Sequence, residues 1–278
     1  MTRQVPNAKT PGAAVVYELS KAQTEFWTAA ERYVDFEGAV RAGKTTPAVL
    51  KVLNSCIEHP GIQWLIARWT QDSTDAQLKA RFRELCPAHA LIGWNAQEQY
   101  FEIRTGNQPS RIYVRGLKAS EDSARYSKFA GLTLAGVYVD QPEEIPYDFY
   151  TTLKARLSQP GYPHQMLLTP NPPHHDHWLA KEFPEDNTHP DHRYIRTTVY
   201  DNRAALGEAY IQALEAAYPA GSVLRRRFIE GLRGLSMVGD PVFGGYFQRL
   251  LHARQVEMHP AAPLFEGWDF GHGHPCVV

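Results

Sequence analysis

Apolar positions along the chain alternate between two periods. Residues 22–33 carry theirs at helical spacing and predict a short amphipathic helix. Residues 34–37 predict a strand running into Gly38. Val49, Leu53, Cys56 and Ile57 recur at helical spacing, so residues 45–57 predict a helix. Pro47 falls in its first turn, where a missing N–H costs little. The short apolar run 62–67 predicts a buried strand, and 75–85 a helix. Segments 100–104 and 112–114 flank the turn-rich Gly106-Asn107-Gln108-Pro109-Ser110 and predict a hairpin. Three further runs of strand length, 132–139, 165–169 and 194–199, are interrupted by helical spacing over 147–157. Strands separated by helices imply a mostly parallel sheet covered on both faces, so the expected fold class is α/β, doubly wound. Past Tyr200 the pattern changes. Residues 203–217 and 222–229 predict two helices, 231–245 is glycine-rich, and 264–270 predicts one late strand.

Between the first strand and its helix lies Gly38-Ala39-Val40-Arg41-Ala42-Gly43-Lys44-Thr45, which fits GxxxxGK[ST] at every fixed position. Glycines let the backbone turn so that successive N–H groups point inward at phosphate oxygens. The following helix offers its positive N-terminal end to the same oxygens. Lys44 would reach the β- and γ-phosphates, and the Thr45 hydroxyl would coordinate Mg²⁺. The strand before and the helix after set this motif apart from an ordinary Gly-rich surface loop. The implied cofactors are ATP and Mg²⁺, held by Gly38, Arg41, Ala42, Gly43, Lys44, Thr45 and Thr46. An ATPase of this kind needs an acid at the end of a neighbouring strand, and Asp140 closes the run 134–140. Many carry a glutamate next, to activate water; here that place is Gln141. Glutamine can orient water but cannot take its proton. Glu143 is therefore the favoured base over Glu144, the alternative for both being a solvated acid at a helix start.

Composition narrows the partners. Lys plus Arg total 29 against 30 Asp plus Glu, a net charge of -1, which excludes a strongly basic nucleic-acid binder but leaves room for a local basic stripe. Cys56, Cys86 and Cys276 form no CxxC pair, so neither a zinc ribbon nor a disulfide framework is expected. Residues 1–12 are polar and no run approaches the ~18 apolar residues of a spanning helix. The expectation is a soluble, intracellular protein with reduced thiols.

Taken in order, these residues resemble the large terminase subunit of tailed bacteriophages, the motor that packages DNA. Gln23 sits where that family has an adenine-reading glutamine. Arg41-Ala42-Gly43-Lys44-Thr45 has the family's arginine-containing Walker A form. Asp140 to Pro146 is similar to its acid-and-proline Walker B segment. Thr169-Pro170-Asn171-Pro172, followed by His177-Trp178-Leu179, resembles its coupling motif. Gly267-Trp268-Asp269-Phe270-Gly271 resembles the opening strand of its RNase H-like nuclease domain.

The resemblance implies a P-loop NTPase of the ASCE type with a small helical lid. Residues 1–200 would be the ATPase core, 201–262 the lid and linker, and 263–278 the start of the nuclease domain. Thr169 and Asn171 would sense the γ-phosphate and couple it to motion. It further implies ATP-driven translocation of double-stranded DNA in the host cytoplasm, with the portal and small terminase subunit as partners. A homo-oligomeric ring would place a neighbour's arginine on the transferring phosphoryl group; Arg125 is the candidate, with Arg41 and Arg156 competing. Asp269 is the one nuclease acid in the chain, too few to clamp two metals, so nuclease activity is not expected. An isolated ATPase domain, a truncated gene and half of a split protein all fit that length. Two other classes stay open: a helicase-like P-loop ATPase, and a prophage remnant that binds ATP without hydrolysing it. His174 and His175 are expected to be solvated, with His177 packed beside Trp178. Arg225-Arg226-Arg227 reads as a solvated face or as contacts to DNA phosphates. Tyr100, Phe101 and Tyr113 read as packing.

Overall fold

The computed structural model describes residues 2–6, 14–118, 129–234, 268–269 and 276–277. Two compact units divide the chain, Met1–Asp240 and Pro241–Val278. In the first, β1 (Thr2–Pro6) and β2 (Ala14–Glu18) form an antiparallel pair that the hydrophobic pattern did not predict. In the second, the described residues are β11 (Trp268–Asp269) and β12 (Cys276–Val277), also antiparallel. Asp269 thus lies on a strand opposite Cys276, and the rest of the predicted strand 264–270 lies outside the described residues.

The main sheet has eight strands. From one edge they are β10 (His192–Thr197), β3 (Tyr33–Gly38), β9 (Gln165–Thr169), β8 (Gly136–Asp140), β4 (Gln63–Arg68), β7 (Ser110–Gly116), β6 (Tyr100–Ile103) and β5 (Leu91–Asn95). The first six run parallel, and β6 and β5 extend the edge antiparallel. The predicted hairpin therefore exists, with Phe101 opposite Ile112, but its second strand pairs with β4 and continues the central sheet. One strand, β9, separates the P-loop strand β3 from the acid-bearing β8. That order brings the C-terminal ends of β3, β9 and β8 side by side, the edge where ligands bind in open α/β sheets.

Helices cover both faces. On one, α1 (Lys21–Thr28), α2 (Thr45–Glu58) and α4 (Ala80–Leu85) pack Phe26, Val49, Leu53 and Phe82 against Phe36, Ile66 and Tyr138. On the other, α5 (Tyr147–Arg156) and α6 (Trp178–Glu182) pack Phe149, Leu153 and Leu179 against Leu65, Val137 and Leu168. Both faces being apolar, the strands read as continuous runs with no alternation.

Boundaries differ from expectation where local chemistry intervenes. The first helix ends at Thr28, and Tyr33 opens β3. The buried ammonium of Lys51 donates to the Phe26 and Ala29 carbonyls and so caps α1. Residues 71–85 are helical from Gln71, through a π-helical turn Thr74–Lys79 between α3 (Gln71–Ser73) and α4. The expected helix 203–217 is two, α7 (Arg203–Leu206) and α8 (Glu208–Ala217), because Gly207 breaks it at φ 81°. Ser222 caps α9 (Val223–Phe228). These three helices close over a small core of Ala39, Ala42, Val199, Ile211 and Ile229.

Candidate nucleotide site

The loop after β3 has the shape its sequence demands. Gly43 sits at φ 77°, and a Cβ there would lie 2.7 Å from the Gln23 amide nitrogen. Gly38 lies against Thr197, whose carbonyl would be 2.2 Å from any Cβ. Arg41, at φ 65°, takes the left-handed conformation without being glycine. Its side chain is exposed, and its carbonyl accepts from Asn202 Nδ2 at 2.8 Å. Ala42 is buried, and Thr45 and Thr46 open α2 half-buried. Arg81 donates to the Thr46 hydroxyl at 2.7 Å, so Thr46 is already committed within the protein. Gln23 joins the loop from α1. Its carbonyl accepts from Ser20 N at 3.0 Å in a capping box, while its amide donates to Gly43 O at 3.0 Å.

Lys44 is buried and points inward. Its Nζ donates to Gly38 O at 2.7 Å, Ala39 O at 2.9 Å and Asn171 Oδ1 at 3.1 Å. Desolvation pulls its pKa down to about 8 against the pull of Glu143 and Asp140. Asn171 in turn donates through Nδ2 to Glu143 Oε1 at 2.8 Å. Lys44, Asn171 and Glu143 thus form one hydrogen-bonded chain across the ends of β3, β9 and β8. Burial pushes the Glu143 carboxyl up to about 7. Its second oxygen, Oε2, is buried with no hydrogen-bond partner among the described residues.

A turn after β8 makes this possible. Gln141 sits at φ 57° and its N–H donates to Thr169 O. The 3₁₀ turn Pro142–Glu144 then aims Glu143 inward and leaves Glu144 exposed. Asp140 is buried: Thr169 Oγ1 donates to its Oδ1 at 2.7 Å and Arg68 Nε pairs with Oδ2 at 3.2 Å. Tyr138 OH lies 3.1 Å from Thr169 Oγ1 and within hydrogen-bonding reach of Thr45. Thr45, Tyr138, Thr169 and Asp140 therefore share one cluster of hard oxygen donors.

Several expected residues fall elsewhere. Arg125 lies outside the described residues. Arg156 donates to Ala130 O, away from the loop. His174 and His175 are half-buried where solvation was expected, because backbone hydrogen bonds join His175 N to Gly234 O and Gly234 N to Pro173 O. His177 packs beside Trp178 and accepts from Leu179 N as the cap of α6. Among the described residues, no cluster of three or more His, Cys, Asp or Glu could hold a metal. Arg225 is absorbed by Glu215, Glu230 and Tyr200, so the arginine triplet does not present one basic face. Phe101 is buried and Tyr100 meets Tyr113 edge to face, as packing.

Sequence reading missed Arg68, Asn202 and a buried group beneath the loop formed by Asp35, Glu37 and Arg233. Two acids in an otherwise apolar strand directly before the glycine loop were the available signal.

Sheet order, glycine loop and buried Asp140 define a P-loop NTPase fold. The sequence profile of the phage terminase large subunit matches residues 32–231, and the chain belongs to that family. Its fold is similar to the large terminase of a thermophilic bacteriophage in complex with ADP, at TM-score 0.68 and 19% identity over 91% of this chain and 62% of that one. This chain therefore spans less than two thirds of that relative's length. The large terminase ATPase domain of Thermus phage P74-26 aligns at TM-score 0.57 and 16% identity, over 77% of this chain and 94% of that one. The HK97 bacteriophage large terminase aligns at 0.58 and 12%, over 78% and 51%. A comparison with curated proteins found no match.

Proposed function

We propose that this chain is the ATPase of a phage DNA-packaging terminase, hydrolysing ATP with Mg²⁺ to move double-stranded DNA. The hydrogen-bonded chain Lys44–Asn171–Glu143 carries the reading, because it links the phosphate loop to a half-buried carboxylate through one neutral side chain. Glu143 is the general base. A carboxyl near pH 7 accepts a proton from water more readily than one at its ordinary value, and Oε2 has no partner among the described residues to compete. Lys44 leaves its carbonyl partners for the β- and γ-phosphates, while loop N–H groups hold the remaining oxygens. Asn171 then reports phosphate occupancy to the segment after it, since Lys44 cannot serve both partners fully. Gln23, which donates to the Gly43 carbonyl of the loop, would read the base.

The oxygen-donor cluster fits Mg²⁺, a hard cation bound by few protein oxygens and several waters. Thr45 would ligate it and Asp140 would hold its water shell. Bound with the nucleotide, it would supply charge neutralisation on the phosphates.

Arg125 remains the proposed arginine donated to a neighbouring subunit in a ring. The portal, the small terminase subunit and DNA are the proposed partners, in the host cytoplasm. Residues 263–278 are the proposed start of a nuclease domain, with Asp269 its proposed metal-binding acid. The ATPase reading is tested by Mg²⁺-dependent phosphate release with and without duplex DNA. Stimulation by duplex that disappears in Lys44→Ala supports it. Strand separation of a forked duplex would favour the helicase-like alternative.

A further inference from the structure

Beneath the phosphate loop lies a charged group that the hydrolytic chain does not use. Asp35 and Glu37, the two acids of β3, are fully buried. Their counter-charge comes from nearly two hundred residues away in sequence. Arg233 Nε lies 3.0 and 2.9 Å from the two oxygens of Glu37, and its NH2 pairs with Asp35 Oδ2 at 3.6 Å. NH1 donates to Phe183 O at 2.9 Å, at the end of α6. The guanidinium lies 4.4 Å over the Tyr194 ring, whose hydroxyl donates to Glu37 at 3.5 Å. Arg233 is 4% exposed.

The residues around Arg233 touch the site from two sides. Gly231, at φ 63°, is pressed onto the loop's first residues: a Cβ there would lie 2.3 Å from Thr197 O, 3.1 Å from Ala39 N and 3.3 Å from Gly38 Cα. Gly234 exchanges two backbone hydrogen bonds with Pro173 and His175, just after Asn171. One short segment, 231–234, therefore bears on the phosphate loop and on the loop that carries Asn171. Arg233 is the side chain that fixes this segment in place.

Resting on the ATPase reading above, we propose that Arg233 is a positioning residue of this site, pinning segment 231–234 so that it holds the Asn171 loop in register with the phosphate loop. The alternative is a buried ion pair that only stabilises the fold. The two differ physically. A buried pair replaced on both sides by neutral groups of similar size often keeps the fold, whereas removing one partner leaves an uncompensated charge. Burial already holds the Asp35 carboxyl well above the usual range, so it demands no counter-ion when neutral.

The test uses the double variant Arg233→Met/Glu37→Gln, with Arg233→Gln beside it, in the full chain. Amide hydrogen exchange without nucleotide reads the positioning directly, because it reports local opening. Exchange at 174–177 accelerates in the double variant while that of β4 and β8 stays at the wild-type rate. Turnover falls about tenfold with KM for ATP little changed, as for an interaction needed only at the chemical step. Wild-type exchange at 174–177, or acceleration spread equally over β4 and β8, overturns the proposal. A wild-type chain that does not hydrolyse ATP contradicts the ATPase reading instead, and the exchange comparison still decides the role of Arg233.

Discussion

At the residue scale, the site turns on which acid takes the proton. Gln141 stands where the usual glutamate would, and Glu143 and Glu144 follow Asp140 by three and four residues. Geometry separates them: Glu143 is tied to Asn171 and Glu144 faces solvent. Glu144→Gln should leave turnover near wild type in a phosphate-release assay. Because burial raises Glu143 to about 7, the base is protonated below that pH. Turnover should therefore fall as pH drops through about 7, with nucleotide binding kept, and a kcat profile flat down to about pH 5 would contradict it. The buried Cys56 and Cys86 thiols, the latter pushed up to about 12, should resist alkylation in the native chain. The glycine loop and Asp140 were legible because their chemistry demands a residue type at a fixed spacing, whereas Asn171 entered only through the family resemblance. Arg68 and Arg233 were not legible, since an ion pair between distant segments leaves no local pattern.

At the element scale, strands and helices of the parallel core were legible from apolar runs bounded by turns. The runs 34–37, 165–169 and 45–57 fall within a residue or two of β3, β9 and α2. The misplaced end of α1 traces to a tertiary partner, whereas the break at Gly207 is local. The end of α1 is capped by Lys51 from α2, a contact that sequence spacing cannot reveal. Lys51→Met should remove both hydrogen bonds and cost about 1–3 kcal/mol. At about 2–4 °C per kcal/mol for a domain of this size, melting should drop by roughly 2–12 °C. Gly136 opens β8 against Trp64, whose ring would lie 2.2 Å from a Cβ. Gly136→Ala should therefore destabilise by about 1–3 kcal/mol, measured by denaturant melting. The sheet order was legible only as a class, because parallel strands carry no register signal in their own sequence.

At the scale of the whole molecule, the family assignment covers residues 32–231, and the remaining chain rests on resemblance. With a net charge of -1, the proposed duplex binding would have to come from a local surface and not from bulk attraction. Duplex-stimulated turnover should accordingly weaken as salt rises from about 50 to 200 mM, as counterion release requires. If a neighbour supplies an arginine, specific activity should rise with protein concentration, and a value independent of concentration would argue for a site complete within one chain.

Glu143, hydrogen-bonded to Asn171 beside the phosphate loop, is the proposed base of an ATPase. The most direct measurement is single-turnover hydrolysis of ATP with Mg²⁺, alongside nucleotide binding, for wild type, Lys44→Ala and Glu143→Gln. Lys44→Ala should lose binding and turnover together. Glu143→Gln should bind as wild type does while hydrolysis falls by about 10²–10⁴-fold, the usual contribution of a general base. Hydrolysis undiminished in Glu143→Gln would contradict the role of Glu143 as base.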